Sequence, residues 1–326
     1  MKKIYEKSNK KWYFAIFISL VILGLFILLN LLYIPAGENL TVNRTILFQL
    51  RIPRIIIAIL AGAGLSIVGA SFQGLFKNPL AEPYLLGISA GSALGAIISF
   101  FFNLHKIPYI GEFLVIINSF ICGLGTMMLV IFISRFRKRF SMLALILTGV
   151  IMNAFLFSLE FLIIALSYGR LQNILLWLWG KIPPVNPLVV LSSSVLIIIS
   201  FFKILFHYKA ISLLAISESM AESKGINIHK VTYEIIIFST IIVATIVSVC
   251  GIIGFVGLVV PHIIRLVIGN DYKKILVLVP LAGGSFLLFS DFISRFLLYP
   301  SVMPLGIVTS IIGAPLFFYL LKRNLT

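Results

Sequence analysis

The sequence predicts an all-α integral membrane protein, ten transmembrane helices with a weak inverted repeat, in one domain over residues 1–326. Three observations predict it. Hydrophobic residues make up 60% of the chain and charged ones 11%, where a soluble domain carries about 25% charged; mean hydropathy is +1.14. Apolar runs of the length that crosses a hydrocarbon core of roughly 30 Å recur from end to end. Small residues stand at helical spacing inside those runs, as they do where helices pack in lipid.

A basic head over 1–12, with Lys2, Lys3, Lys7, Lys10 and Lys11, precedes an apolar run over 13–33. That run is longer than the core of a secretory signal, about 7–15 residues, and reads as an uncleaved first helix. Further spans are expected over 55–76, 84–104, 113–134, 142–167 and 188–206. After a polar loop come 233–254, 255–268, 275–299 and 305–321. The run over 255–268 is too short to cross alone unless it tilts or is met by a re-entrant segment.

The stretch 51–96 organises the chain. Ala58, Gly62, Ser66, Ala70 and Gly74 recur every four residues, which puts them on one helical face. Gly87, Gly91, Gly95 and Ser99 repeat the spacing after the turn FKNPLAEPY at 76–84. Such glycines weaken a helix in water by roughly 1 kcal/mol each. In lipid they let two backbones approach, so both faces are expected at helix–helix contacts.

Charge placement sets the orientation. Nineteen of the 26 basic residues fall in the head, the 76–84 turn, 135–139, 203–230, 265–274 and the tail. The other seven are Arg44, Arg51, Arg54, Lys106, Arg170, Lys181 and Arg295. By the positive-inside rule the first set is cytoplasmic, which makes this a multi-pass cell-membrane protein with both termini in the cytoplasm, in contact with lipid. The same distribution accounts for the net charge of +16 without nucleic acid. Cys122 and Cys250 form no CxxC and read as small buried hydrophobes. Four dispersed histidines give no metal site and no cofactor is implied; His262, after Pro261, reads as structural. No GxxxxGK[ST] loop, nucleophile–base pair or carboxylate dyad is present, so the chain is not expected to be an enzyme.

Four local features stand out. The connection over 168–187 holds an amphipathic piece with Trp177 and Trp179, residues that usually anchor at the membrane interface. The loop over 211–230 reads as a short soluble helix: Ser217 caps it, Glu218 lies in its first turn, Lys224 in its last and Gly225 just past its end. Leu214, Met220 and Ala221 offer apolar contact, so the loop is either a docking element for a cytoplasmic partner or a solvated hairpin. Glu160 is the one acid in the middle of a span, a pathway candidate or the partner of an inter-helix hydrogen bond. The glycines of 69–75 followed by Pro79 parallel those of 251–258 followed by Pro261. Under the assigned topology the two copies run in opposite directions, the pattern of transport folds with broken helices.

These motifs together resemble a family: the membrane permeases of ATP-binding-cassette importers for ferric siderophores, haem and cobalamin. The resemblance runs through RIPR at 51–54, GASFQGLFKNPLAEPYLLGISAGSALGA at 69–96, WLWG at 177–180 and the loop SESMAESKGIN at 217–227. It continues through GFVGLVVPHIIRLVIGND at 254–271, SDFISR at 290–295 and MPLGIVTSIIGAPLFFYLL at 303–321. It implies ten helices per subunit, a second permease subunit, identical or related, two cytoplasmic ATPase subunits and an extracytoplasmic substrate-binding protein. It also implies site residues. Arg51, Arg54 and Arg295 would meet acidic groups of the binding protein. The alternatives are snorkelling to the interface and, for Arg295, pairing with Asp291 one turn earlier. The Ser217–Asn227 helix would seat in the ATPase. Asn78, Pro79 and Leu80 would line the cytoplasmic gate, or form an ordinary Asn-Pro turn.

The function expected is therefore the permease subunit of an importer for a ferric siderophore or related metal chelate, with haem or cobalamin as the alternative cargo. An ion-coupled secondary transporter, the competing class, would call for several intramembrane carboxylates and no docking helix.

Overall fold

The computed structural model describes residues 2–32, 46–134, 142–167, 171–297 and 301–325. Arg44, the basic segment 135–139 and Arg170 of the charge argument lie outside the described residues. Among those described, every regular element is helical. Helix α1 is Lys2–Leu32, a single helix that runs through the basic head. A wide π-type turn, Leu47–Arg51, leads into α2 (Ile52–Leu75), where Pro53 takes the early position at which a missing N–H costs nothing. Then follow α3 (Ile88–Phe101), α4 (Gly111–Ser134), α5 (Met142–Leu166), α6 (Leu171–Leu178) and α7 (Pro187–Phe206). The second half holds α8 (Tyr208–Leu214), α9 (Glu218–Ser223), α10 (Ile228–Cys250), α11 (Val256–Ile268), α12 (Tyr272–Phe296) and α13 (Leu305–Leu325).

Seven of these are long and apolar enough to cross a membrane, and α3, α11 and α13 supply shorter apolar helices. The span expected over 84–104 starts later than its hydropathy suggests, because 84–87 is irregular chain that leads into α3.

Helices α2 and α10 form the centre. Along α2 the side chains of Leu65, Ile67, Val68 and Phe72 are fully buried, and α10 is nearly as enclosed. Helices α12 and α11 pack on α2, and α4, α7 and α3 pack on α10. Helix α1 lies on α12 at the periphery. Helix α5 fully buries only Leu145, Gly149, Leu156 and Glu160, packs Met142 and Met152 partly on the core, and turns much of its remaining apolar surface outward.

The small-residue faces are contact faces, but with different partners. Gly62 and Ser66 meet the Gly283–Gly284 backbone of α12, and Gly69, beside the stripe, meets the Gly257 backbone of α11. Gly74 receives Ile211 and Tyr272. The second face packs on α4: Gly91 against Thr126 and Cys122, Gly95 against the Asn118 carbonyl, with Asn118 donating to the Ser99 hydroxyl at 3.0 Å. Gly87 is an exception to the expected face. It precedes α3 with φ 85°, a left-handed conformation that glycine adopts without penalty.

Candidate functional site

Two interruptions of the helical ladder meet inside the bundle. After α2 the chain turns through Lys77, at φ 49°, and stays irregular to Gly87. After α10 it breaks at Gly251, at φ 71°, and resumes in α11 after Phe255, at φ 67°. In lipid, irregular backbone persists only where its polar groups are paired or line a cavity. Tyr84 does the pairing here. Its hydroxyl donates to the Ile253 carbonyl at 2.7 Å and accepts from the Ile253 N–H at 3.2 Å, which joins one break to the other. Gln73 lies 3.4 Å from the carbonyls of both Gly257 and Leu258, and Asn153 of α5 donates to the Tyr84 carbonyl at 3.3 Å.

The 177–181 segment completes this core. The Lys181 N–H donates to Cys250 at 2.7 Å, and Gly180 and Trp179 accept from Leu305 and Gly306 at 2.8 and 3.0 Å. Gly180, at φ 73°, lies so close to the Ile252 carbonyl that a side chain would clash with it. The interfacial anchoring expected of both tryptophans therefore fails for Trp177, which is buried, while Trp179 is exposed. Backbone pairing to the α10 break draws the segment inward.

Tyr84→Phe is expected to raise amide hydrogen exchange at Ile253 at least about fivefold, because the N–H loses its acceptor among the described residues at a cost of order 1–3 kcal/mol. Mass-spectrometric exchange across 251–255 measures it, and unchanged protection would exclude the bridging role.

The turn expected to form a gate lies beside this core. Asn78, Pro79 and Leu80 are exposed; the Asn78 carboxamide oxygen accepts from the Leu80 N–H at 2.9 Å, and the Asn78 N–H donates to Gln73 at 3.2 Å. Side chain and backbone thus close the turn as soon as α2 ends.

At the end of the bundle where α2 begins, the arginines converge. Arg54 grips Asp291 through two nitrogens, Nε to Oδ1 at 3.0 Å and Nη2 to Oδ1 at 2.8 Å, and Arg295 reaches its Oδ2 at 3.2 Å. Arg295 also bonds Asn30, and Arg51 donates to the Leu31 carbonyl at the end of α1. The expected pairing of Arg295 with Asp291 is present; Arg54 as its second partner, 237 positions away, is not legible locally.

The elbow formed by α8 and α9 matches its sequence signals. Ser217 accepts from the Met220 N–H at 3.0 Å, Gly225 stands at φ 75°, and the Ile226 N–H closes on Ala221 at 3.1 Å. The expected contact face needs a correction. Leu214 and Ala221 are buried in the chain's own packing, which holds α9 on α8, and the exposed apolar side chains are Ile216 and Met220. Glu160 is 3% exposed with Oε1 unpaired among the described residues, enclosed on the inner face of α5. No cluster of three metal-binding side chains occurs among the described residues.

Comparison with known proteins agrees over the whole fold. The model of the FecCD transport family matches residues 11–323. An uncharacterized ABC transporter permease protein of Bacillus subtilis, YvrB, is 39% identical over 289 residues, 88% of this chain and 82% of that protein. The hemin transport system permease protein HmuU of Yersinia pestis is 34% identical over 85% of this chain and 83% of its own. A solved structure described as an inward-facing conformation of a metal-chelate type ABC transporter superposes with a TM-score of 0.85. It shares 30% identity and covers 94% of this chain and 98% of its own.

Proposed function

We propose, since this chain belongs to the FecCD transport family, that it forms the translocation pathway of an ATP-binding-cassette importer for a ferric siderophore or related metal chelate. The observation that carries the reading is the superposition along nearly the whole chain on a metal-chelate type transporter. The breaks bridged by Tyr84 support it, since transport folds place irregular backbone where cargo passes. Haem or cobalamin is the alternative cargo, and the likeness to a hemin permease keeps haem in the comparison.

Ten spans per subunit follow if α3, α11 and α13 cross together with the seven longer helices. In this arrangement the pathway lies between this subunit and a second permease, the same chain or a relative, for which the outward apolar face of α5 is available. ATP is hydrolysed by two separate cytoplasmic subunits, and the α8–α9 elbow seats in one of them through Ile216, Met220 and Glu218. A capped helix packed on its neighbour transmits a rigid-body displacement that a loose hairpin would absorb. The 78–80 turn then gates the cytoplasmic exit.

At the other end, Arg54 and Arg295 share one carboxylate and Arg51 holds only the Leu31 carbonyl, so the corner of Arg51, Arg54 and Arg295 keeps a surplus of positive charge for acidic groups on an extracytoplasmic binding protein. Complementary charge of this kind sets orientation and association rate more than affinity.

The test is reconstitution in proteoliposomes with the ATPase and binding protein, with a ferric siderophore, haem and cobalamin supplied in parallel. ATP-dependent accumulation of one of them is the expected result, and absence of all uptake by an ATP-hydrolysing complex would overturn the assignment. In the same complex, Met220→Cys should crosslink to the ATPase, and no crosslink would remove the docking role of the elbow.

A further inference from the structure

A cavity of about 470 Å³ opens where the end of α2, the α8–α9 elbow and the α11–α12 corner meet. Two buried polar atoms in its wall lack partners among the described residues. Arg265 donates through Nη2 to the Tyr272 hydroxyl at 3.0 Å and lies over that ring at 5.4 Å, but its Nε has no acceptor. Gln73 is 2% exposed, and its Oε1 has no donor. Buried groups left in this state cost on the order of 1–3 kcal/mol each, so they mark a place that another molecule completes.

The charge around them has one sign available. Lys77 lines the same cavity, on a backbone turned to φ 49°. Asp271, the acid in the wall, is already engaged: it accepts from the Lys273 N–H at 3.1 Å as the cap of α12 and lies 3.9 Å from the Lys274 ammonium. Water would satisfy the two orphan atoms, but Lys77 and Arg265 would then share one cavity with a single carboxylate, Asp271, which already faces Lys274.

We propose that this cavity binds a phosphate-bearing anion that also carries a hydroxyl or primary ammonium donor. The phosphate oxygens lie on Arg265 Nε and Lys77, and the donor lies on Gln73 Oε1. A phospholipid headgroup and free phosphate share this chemistry. Either would tie the 77–80 turn to the α8–α9 elbow and the α11–α12 corner. Only that consequence rests on the transport reading; the binding itself does not.

The experiment is native mass spectrometry of the full chain in detergent, titrated with dioleoyl-phosphatidylglycerol or dioleoyl-phosphatidylcholine, with inorganic phosphate as competitor. One saturable phosphatidylglycerol site is expected, with weaker binding of phosphatidylcholine, whose quaternary ammonium has no proton for Gln73. Arg265→Gln should weaken the site about tenfold, the loss of one charge-assisted hydrogen bond. Lys77→Gln changes an exposed side chain, keeps the fold by circular dichroism, and should weaken binding several-fold. Displacement by inorganic phosphate assigns the site to the free anion, and its failure assigns it to the lipid. Absence of saturable binding by either phospholipid or phosphate, or unaltered affinity in Lys77→Gln, overturns the proposal, whether or not Arg265→Gln folds.

Discussion

Gly69→Val should leave almost no natively folded protein, whereas Gly125→Val should behave as wild type. A Cβ at position 69 would overlap the Gly257 carbonyl and lie 2.7 Å from the Gly257 Cα, so the obstacle is backbone and cannot move aside as a flexible side chain would. The α2–α11 contact would have to open, and with it the Gln73 contacts to Gly257 and Leu258. Overpacking a core typically costs about 1–3 kcal/mol, and a clash with backbone at the most enclosed helix belongs at or above the top of that range. Gly125 also lies in a long apolar helix, yet nothing stands within 4 Å of a Cβ built there. Valine has a higher helix propensity than glycine and the gain is the same at both positions, so the two variants differ in contact and not in propensity. Fluorescence-detected size exclusion after graded heating compares them directly. Equal thermal midpoints would show that the α2–α11 approach is not close in the folded protein.

Asp291→Ala should destabilise the protein by about 3–5 kcal/mol, the cost of leaving buried charge without its partner. The carboxylate is 1% exposed and holds both Arg54 and Arg295, so one substitution strands two guanidiniums. Combining Arg54→Met with Asp291→Leu should recover only the part of the loss that Arg54 carries, since an apolar replacement of that pair is often neutral while Arg295 still lacks its carboxylate. A coupling above about 1.5 kcal/mol in the double-mutant cycle is expected, within the range for residues in direct contact. Additive single effects would show that Arg54 and Asp291 are not partners. The looser pair of Lys230 and Glu234, 4.0 Å apart with the lysine in solvent, provides the contrast: a surface pair of this kind contributes about 0–1 kcal/mol.

Legibility in the sequence follows the range of each interaction. Ser217 and Gly225 announce α9 because a cap and a helix-ending glycine act within one or two turns, and the structure carries both. The apolar runs mark the long helices for the same local reason. At the site, the pairing of Asp291 with Arg295 was readable one turn apart, whereas Tyr84 was not. An aromatic residue beyond a proline pair gives no sign that its hydroxyl reaches Ile253, 169 positions on. The failures at Trp177 and Ala221 share a cause: composition shows that a residue suits an interface, while a neighbour from elsewhere in the chain decides whether it is reached.

The sequence by itself determined that this protein lives in a membrane, where most of its helices run, which faces permit close approach, and that the 217–225 loop is a capped helix. Tertiary structure decided which helices meet: Gly62 and Ser66 on α12, Gly69 on α11, Gly91 and Gly95 on α4. It also decided that two interruptions of the ladder share one tyrosine, and that Arg54 belongs to Asp291. The physical reason is the solvent. Lipid is as apolar as a leucine surface, so burial does not tell one helix partner from another. That choice falls to steric fit between glycine faces and to hydrogen bonds and charges joined across the chain.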